Sequence, residues 1–220
     1  MIKIEDFEVW GLRKALDGIR NSYSNRDKSD SFVTLMENGM KEIAVGDNDL
    51  QLMLRLVKEG SPCRKFLRMI HVQCDVTAPM YWWKQMDTYT IGKVQNSEST
   101  MHTLSKKPIT LDDFSLDEGR VDTDDDMFFY TKFQDVVNRL EALRKLFVET
   151  KDKVYWRSLI QELPMSFNQM RTLDMNYEVL VQIHKWRKHH KLSEWHKMCE
   201  WIEELPYMKY FLDAMGLIAK

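Results

Sequence analysis

The residues best suited to chemistry lie in two stretches of the chain. The first is Lys84-Gln85 followed by Asn96-Ser97-Glu98-Ser99-Thr100-Met101-His102. Amides and hydroxyls carry donors and acceptors side by side, so this set can read the edge of a planar base, although the same composition also makes an ordinary polar loop. The second is Arg187-Lys188-His189-His190-Lys191. A guanidinium grips phosphate oxygens two at a time, which makes this stretch a possible anion clamp. A basic helix end that complements the helix dipole would use the same residues.

Other chemistries lack their residues. No GxGxxG or GxxxxGK occurs, and Gly92 stands alone, so there is no glycine-rich phosphate loop. HExxH and calcium-loop patterns are absent. His184, His190 and His196 are six apart, which turns each off the previous one's helix face and argues against a helical zinc site. Nothing like GxSxG supports a nucleophilic serine.

The elements that must position these groups follow from periodicity. Residues 2–10 alternate as a strand, and Leu12 to Ile19 reads as a short helix before a polar loop from Arg20 to Ser31. Gly46-Asp47-Asn48 caps a helix carrying Leu50, Met53, Leu54 and Val57, which Gly60 stops. Ile70, Val72, Cys74 and Val76 alternate with polar residues as a half-buried strand, and Pro79 opens a helix at PMYWWKQMD. The pattern is irregular from residue 90 to Phe114. From Phe128 the chain reads as helical, with Phe133, Val136, Val137, Leu140, Leu143 and Phe147 on one face. Tyr155 to Leu163 gives a second helix. Asp174 caps a third carrying Leu180, Ile183 and Trp186, and Ser193 a fourth carrying Trp195, Cys199 and Ile202. The expectation is a single α+β domain over residues 1–220, with a small N-terminal mixed or antiparallel sheet and a helical C-terminal half.

Composition bounds the partners. The 220 residues hold 32 Lys+Arg against 34 Asp+Glu, so bulk binding to a nucleic-acid polymer is not expected. That balance hides two opposed runs. From Asp112 to Asp126 eight acids surround Arg120, read as a solvated acidic loop over about 105–127. From His184 to Lys197 five Lys/Arg meet one glutamate. No apolar run reaches the ~20 residues of a bilayer span. Three cysteines without a CxxC do not make a disulfide framework, and a cytoplasmic protein is the expectation.

Taken together, these segments resemble the flavin-dependent thymidylate synthases, the ThyX family. Leu163-Pro164, Asn176, Leu180 and Arg187 look like the family's LP…N…L…R pattern, and Ile19-Arg20-Asn21-Ser22 looks like its A-R-x-S. Val76-Thr77-Ala78-Pro79 with Lys84-Gln85 is similar to its apolar strand, Ala-Pro and Arg-Gln, and Asn96, Ser97 and Ser99 to its N-E-x-S. The family's Arg-His-Arg, followed after seven or eight residues by Ser, becomes Thr88-Tyr89-Thr90 and Ser99. Met101 stands for a further arginine, Cys63-Arg64 for an upstream Glu-His, and Leu192 to Lys197 blurs the usual Ala-Gln-x-Glu-Ile-Arg.

The resemblance implies methylation of dUMP, with methylenetetrahydrofolate as carbon donor, NADPH as reductant and FAD passing the hydride. It places Gln85, Ser97, Ser99 and Arg171 (one residue from the family's phosphate arginine, at Met170) on the nucleotide. It places Asn96, Asn176, Arg187 and His190 beside the flavin or its replacement, and it implies a homotetramer with shared sites. Losing the basic triplet weakens the flavin side most, by about 1.5–3 kcal/mol per charged hydrogen bond. The alternative is a non-catalytic nucleotide-binding or nucleotide-sequestering protein on the same scaffold. A purely structural assembly protein ranks below both.

Overall fold

The computed structural model describes residues 2–35, 41–116 and 124–218. Its main sheet has the strand order β1-β4-β6-β5, with β1 Lys3–Trp10, β4 His71–Pro79, β6 Asn168–Asn176 and β5 Lys93–Ser97. A separate antiparallel hairpin joins β2 Phe32–Leu35 to β3 Lys41–Ala44, with Phe32 opposite Ala44. The α+β class expected from the sequence is the one observed. The sheet also draws β6 from the C-terminal half, where only helices were expected.

Met1–Ile4, Asp75–Thr88 and Gln95–Thr172 form one compact unit. Its helices are α3 Met80–Met86, α4 Thr100–Thr103, α5 Asp124–Thr150 and α6 Lys153–Glu162. The core joins Leu104, Ile109, Phe114, Val137, Leu140, Leu159 and Phe167. Burying such side chains stabilises by about 1.5–3 kcal/mol each. The Asp152 carboxylate caps α6 by accepting from the Val154 N–H at 2.9 Å. Trp82 and Trp83 are fully buried and meet edge to face, 4.8 Å between ring centroids.

Glu5–Cys74, Tyr89–Val94 and Leu173–Lys220 form the other unit. It holds α1 Leu12–Ser22, α2 Asp47–Lys58, α7 Tyr177–Arg187, α8 Ser193–Glu204 and α9 Met208–Ala214. Leu16, Met53, Leu67, Ile183, Met198 and Phe211 are buried there to 1% exposure or less. Asp30 reaches across to the start of α2, its carboxylate accepting from the Asn48 and Asp49 N–H groups. The cap therefore comes from outside the Gly46-Asp47-Asn48 stretch, because Gly46 has no side chain to supply it.

Several boundaries differ from expectation. Helix α1 runs on to Ser22, so Arg20 is helical and buried rather than in a loop. Pro79 ends β4, and α3 begins at Met80. Helix α7 is capped by Asn176, whose Oδ1 accepts from the Val179 N–H at 3.0 Å, while Asp174 stays on β6 with His71 Nδ1 2.7 Å away. Ser193 is the first residue of α8, after Leu192 at the cap position. Val136 and Trp186 leave their expected apolar faces, at 37% and 66% exposure. Of the acidic stretch, Asp113 closes a capping box with Thr110 and residues 117–123 lie outside the described residues. The backbone is helical from Asp124.

Candidate functional site

In the first unit a polar network forms around Asp87, just past the end of α3. Arg171 on β6 donates from Nη1 to Asp87 Oδ1 at 2.8 Å and from Nε to Gln169 Oε1 at 2.9 Å. Its guanidinium carbon lies 4.3 Å from the centroid of the Trp83 ring. Gln95 on β5 donates to the same Asp87 oxygen at 2.8 Å. Gln169 in turn donates to the Glu98 carbonyl at 2.7 Å, and its own carbonyl accepts from Trp83 Nε1 at 2.9 Å. The network thus ties the end of α3, β6 and the turn after β5 into one frame.

The predicted nucleotide residues sit on this frame. Gln85 lies in the last turn of α3, and its carbonyl accepts from the Thr88 hydroxyl at 2.7 Å. Ser97 ends β5, and Ser99 stands at the cap of α4, where its hydroxyl makes no capping bond. Side chains alternate across a strand, so Ser97 shares its face with Gln95, while Asn96 points to the other side. The same parity separates Arg171 from Met170. Met170 is 45% exposed and Arg171 only 8%. Arg171 therefore lies on the face of β6 opposite Met170. It is buried and held by Asp87, Gln169 and the Trp83 ring.

Sequence reasoning missed Asp87, Gln169 and Trp83. Their only signal was the spacing of Gln169 and Arg171, two polar residues on one strand face.

In the second unit Arg187, at the end of α7, donates from Nε to the Tyr89 hydroxyl at 3.0 Å. Its guanidinium carbon lies 4.7 Å from the centroid of the Trp195 ring, and Tyr89 meets Trp195 edge to face. Tyr89 is the middle residue of the Thr-Tyr-Thr that replaces the basic triplet. His190 Nδ1 accepts from the Leu192 N–H at 3.1 Å, which requires that nitrogen unprotonated. Burial, then the charges of Arg187, His196 and Lys191, holds this imidazole below its usual value. His184 is fully buried against Glu203, 2.7 Å from Nε2. Burial, reinforced by the Glu203 charge, pushes the neighbouring Cys199 thiol up to about 12, so it is no nucleophile at neutral pH. Among the described residues no cluster of His, Cys, Asp or Glu is arranged for a metal.

Asn176 spends its Oδ1 on the α7 cap, and its backbone N–H donates to the Gly92 carbonyl at 2.9 Å. A Cβ at Gly92 would lie 2.6 Å from Asn176 Nδ2, and Gly92 has φ +78°. Gly92→Ala is therefore expected to cost about 2–3 kcal/mol, from the left-handed backbone and the disturbed cap together. Urea unfolding checks it.

Asn176 Oδ1, Arg187 Nε and His190 Nδ1 are thus engaged by the protein itself, and residues 88–90 carry no charge.

No protein-family profile matches the chain, and no curated protein matches it by sequence. Solved structures do match along the whole length. A ThyX from Helicobacter pylori, solved with FAD and dUMP, superposes with a TM-score of 0.68 at 17% identity, covering 98% of this chain and 99% of that one. The UMP/dUMP methylase PolB from Streptomyces cacaoi, bound with 5-Br dUMP, superposes with a TM-score of 0.67 at 15% identity, covering 100% and 97%. The order of strands and helices that carries Gln85, Ser99 and Arg171 is therefore the fold of the flavin-dependent thymidylate synthases.

Proposed function

We propose that this protein binds a pyrimidine mononucleotide such as dUMP, held by Gln85, Ser97 and Ser99, with Arg171 fixing the frame beneath them. The observation that carries the reading is the Asp87 network, which orders a helix end and a strand end that each present uncharged polar groups. Preorganised amides and hydroxyls are what a planar uracil edge selects. The nucleotides in the solved relatives, dUMP and its 5-bromo form, support the same ligand class.

Flavin-dependent methylation of dUMP is the reading that the uncharged 88–90 segment, in place of a basic triplet, speaks against. Binding without methyl transfer, as in nucleotide capture or sequestration, is favoured. A homo-oligomer fits the exposed Ile91 and Val94, at 87% and 72% exposure. Light scattering measures the mass directly.

Titration calorimetry with dUMP is expected to show saturable binding, weakened about tenfold in Gln85→Ala and in Ser99→Ala, one hydrogen bond's worth in each. After incubation with FAD and desalting, the protein is expected to stay colourless. A yellow protein that turns over dUMP with folate and reductant would replace this reading with the enzymatic one.

A further inference from the structure

A second concavity lies in the unit formed by α1, α2 and their partners, and it shares no residue with the set above. It is an open cavity of about 620 Å³, within the range that small ligands fill. Tyr23, Asn25, Lys28, Asn48, Gln51 and Arg55 supply most of its lining, and among the described residues no carboxylate lines it. Arg20 also borders it, but Asp49 meets that charge, with Nε and Nη2 both on Oδ1. Lys28 and Arg55 have no ion-pair partner among the described residues, so the lining offers two exposed cations.

Two further observations point to a ligand. Tyr23 is 49% exposed and offers a ring at the rim. The floor is rigid, because Asp49, fully buried, also accepts from the Ser29 and Ser31 hydroxyls at 2.6 Å, and Asp30 pins the same loop to α2. Cations, amides and one aromatic ring around a fixed floor match a phosphate, hydroxyl groups and a planar ring.

We propose that this cavity is a separate binding site for a small phosphorylated ligand with a planar ring, the phosphate on Lys28 and Arg55 and the ring against Tyr23.

The test uses UMP, ribose 5-phosphate and inorganic phosphate as probes on the full chain, read by backbone amide shifts. Saturable shifts at residues 23–28 and 48–55 are expected, with UMP bound more tightly than ribose 5-phosphate. Lys28→Ala with Arg55→Ala is expected to weaken UMP at these amides at least about tenfold. Tyr23→Ala is expected to remove the preference for UMP. Amides around Gln85 and Ser99 report the other site independently, so either site can fail alone. Both cations are exposed, and the milder Lys28→Gln with Arg55→Gln replaces the alanine pair if that pair fails to fold. Shifts at 23–28 and 48–55 that do not saturate with any probe, or that the cation variants leave unchanged, overturn the proposal. Equal affinity for UMP and ribose 5-phosphate overturns the ring assignment.

Discussion

Replacing Arg171 by methionine is expected to lower the unfolding free energy by about 2–4 kcal/mol and to weaken dUMP binding more than about tenfold. The side chain is 9% exposed and does three things at once. It neutralises Asp87, it hydrogen-bonds Gln169, and it lies over the Trp83 ring. Asp87 is 42% exposed, so water takes over part of the lost pairing and the cost falls below that of a fully buried ion pair. Gln169 is 6% exposed and has no such recourse, and its hold on the Glu98 carbonyl weakens with it. Arg171→Lys is expected to recover the charge but not the two-pronged geometry, and so to rescue stability only in part. Urea denaturation and dUMP titration on the same samples measure both effects. Loss of stability with dUMP affinity intact would separate the frame from the binding site.

Asp49→Ala is expected to be the most destabilising single change, at about 3–5 kcal/mol, because it strands the Arg20 charge at 7% exposure. Burial of Asp49 by itself pushes its carboxyl up. Hydrogen bonds from Ser29, Ser31 and Arg20, with the Arg20 charge, outweigh that and hold it below the usual carboxylate value. The sign follows. A carboxyl with a lowered folded value contributes stability that is full above its unfolded value, near 3.8, and is lost as pH falls through the folded one. Acid unfolding of the wild type should therefore contain a component below pH 3.8 that Asp49→Asn removes. An unchanged acid limb in that variant would show that Asp49 does not carry it.

How far the fold was legible depended on whether burial and hydrophobicity agreed. Strand β4 was readable because Val72, Cys74 and Val76 are both apolar and buried. Strand β6 was not, because its buried positions begin with Gln169 and Arg171 before reaching Leu173 and Met175. Two polar residues on the inner face erased the alternation that marks a strand, and they are the pair that frames the candidate site. Strand β5 gave no signal because its residues are almost all exposed at a sheet edge. The same effect misplaced the α7 cap. Asp174 and Asn176 are both capping residue types, and only the length of β6 decides between them. Gln85 and Ser99 were singled out by their chemistry and by the resemblance. The parity that turns Arg171 away from Met170's face needed the strand itself.

The most direct measurement of the central claim is a crystal structure of the protein with 5-bromo-dUMP, located by the anomalous signal of its bromine. The account predicts one strong bromine peak beside Gln85 and Ser99, with the uracil edge on their side chains and the Asp87–Arg171 pair unbroken beneath. A protein that crystallises with saturating ligand and shows no bromine there would contradict it.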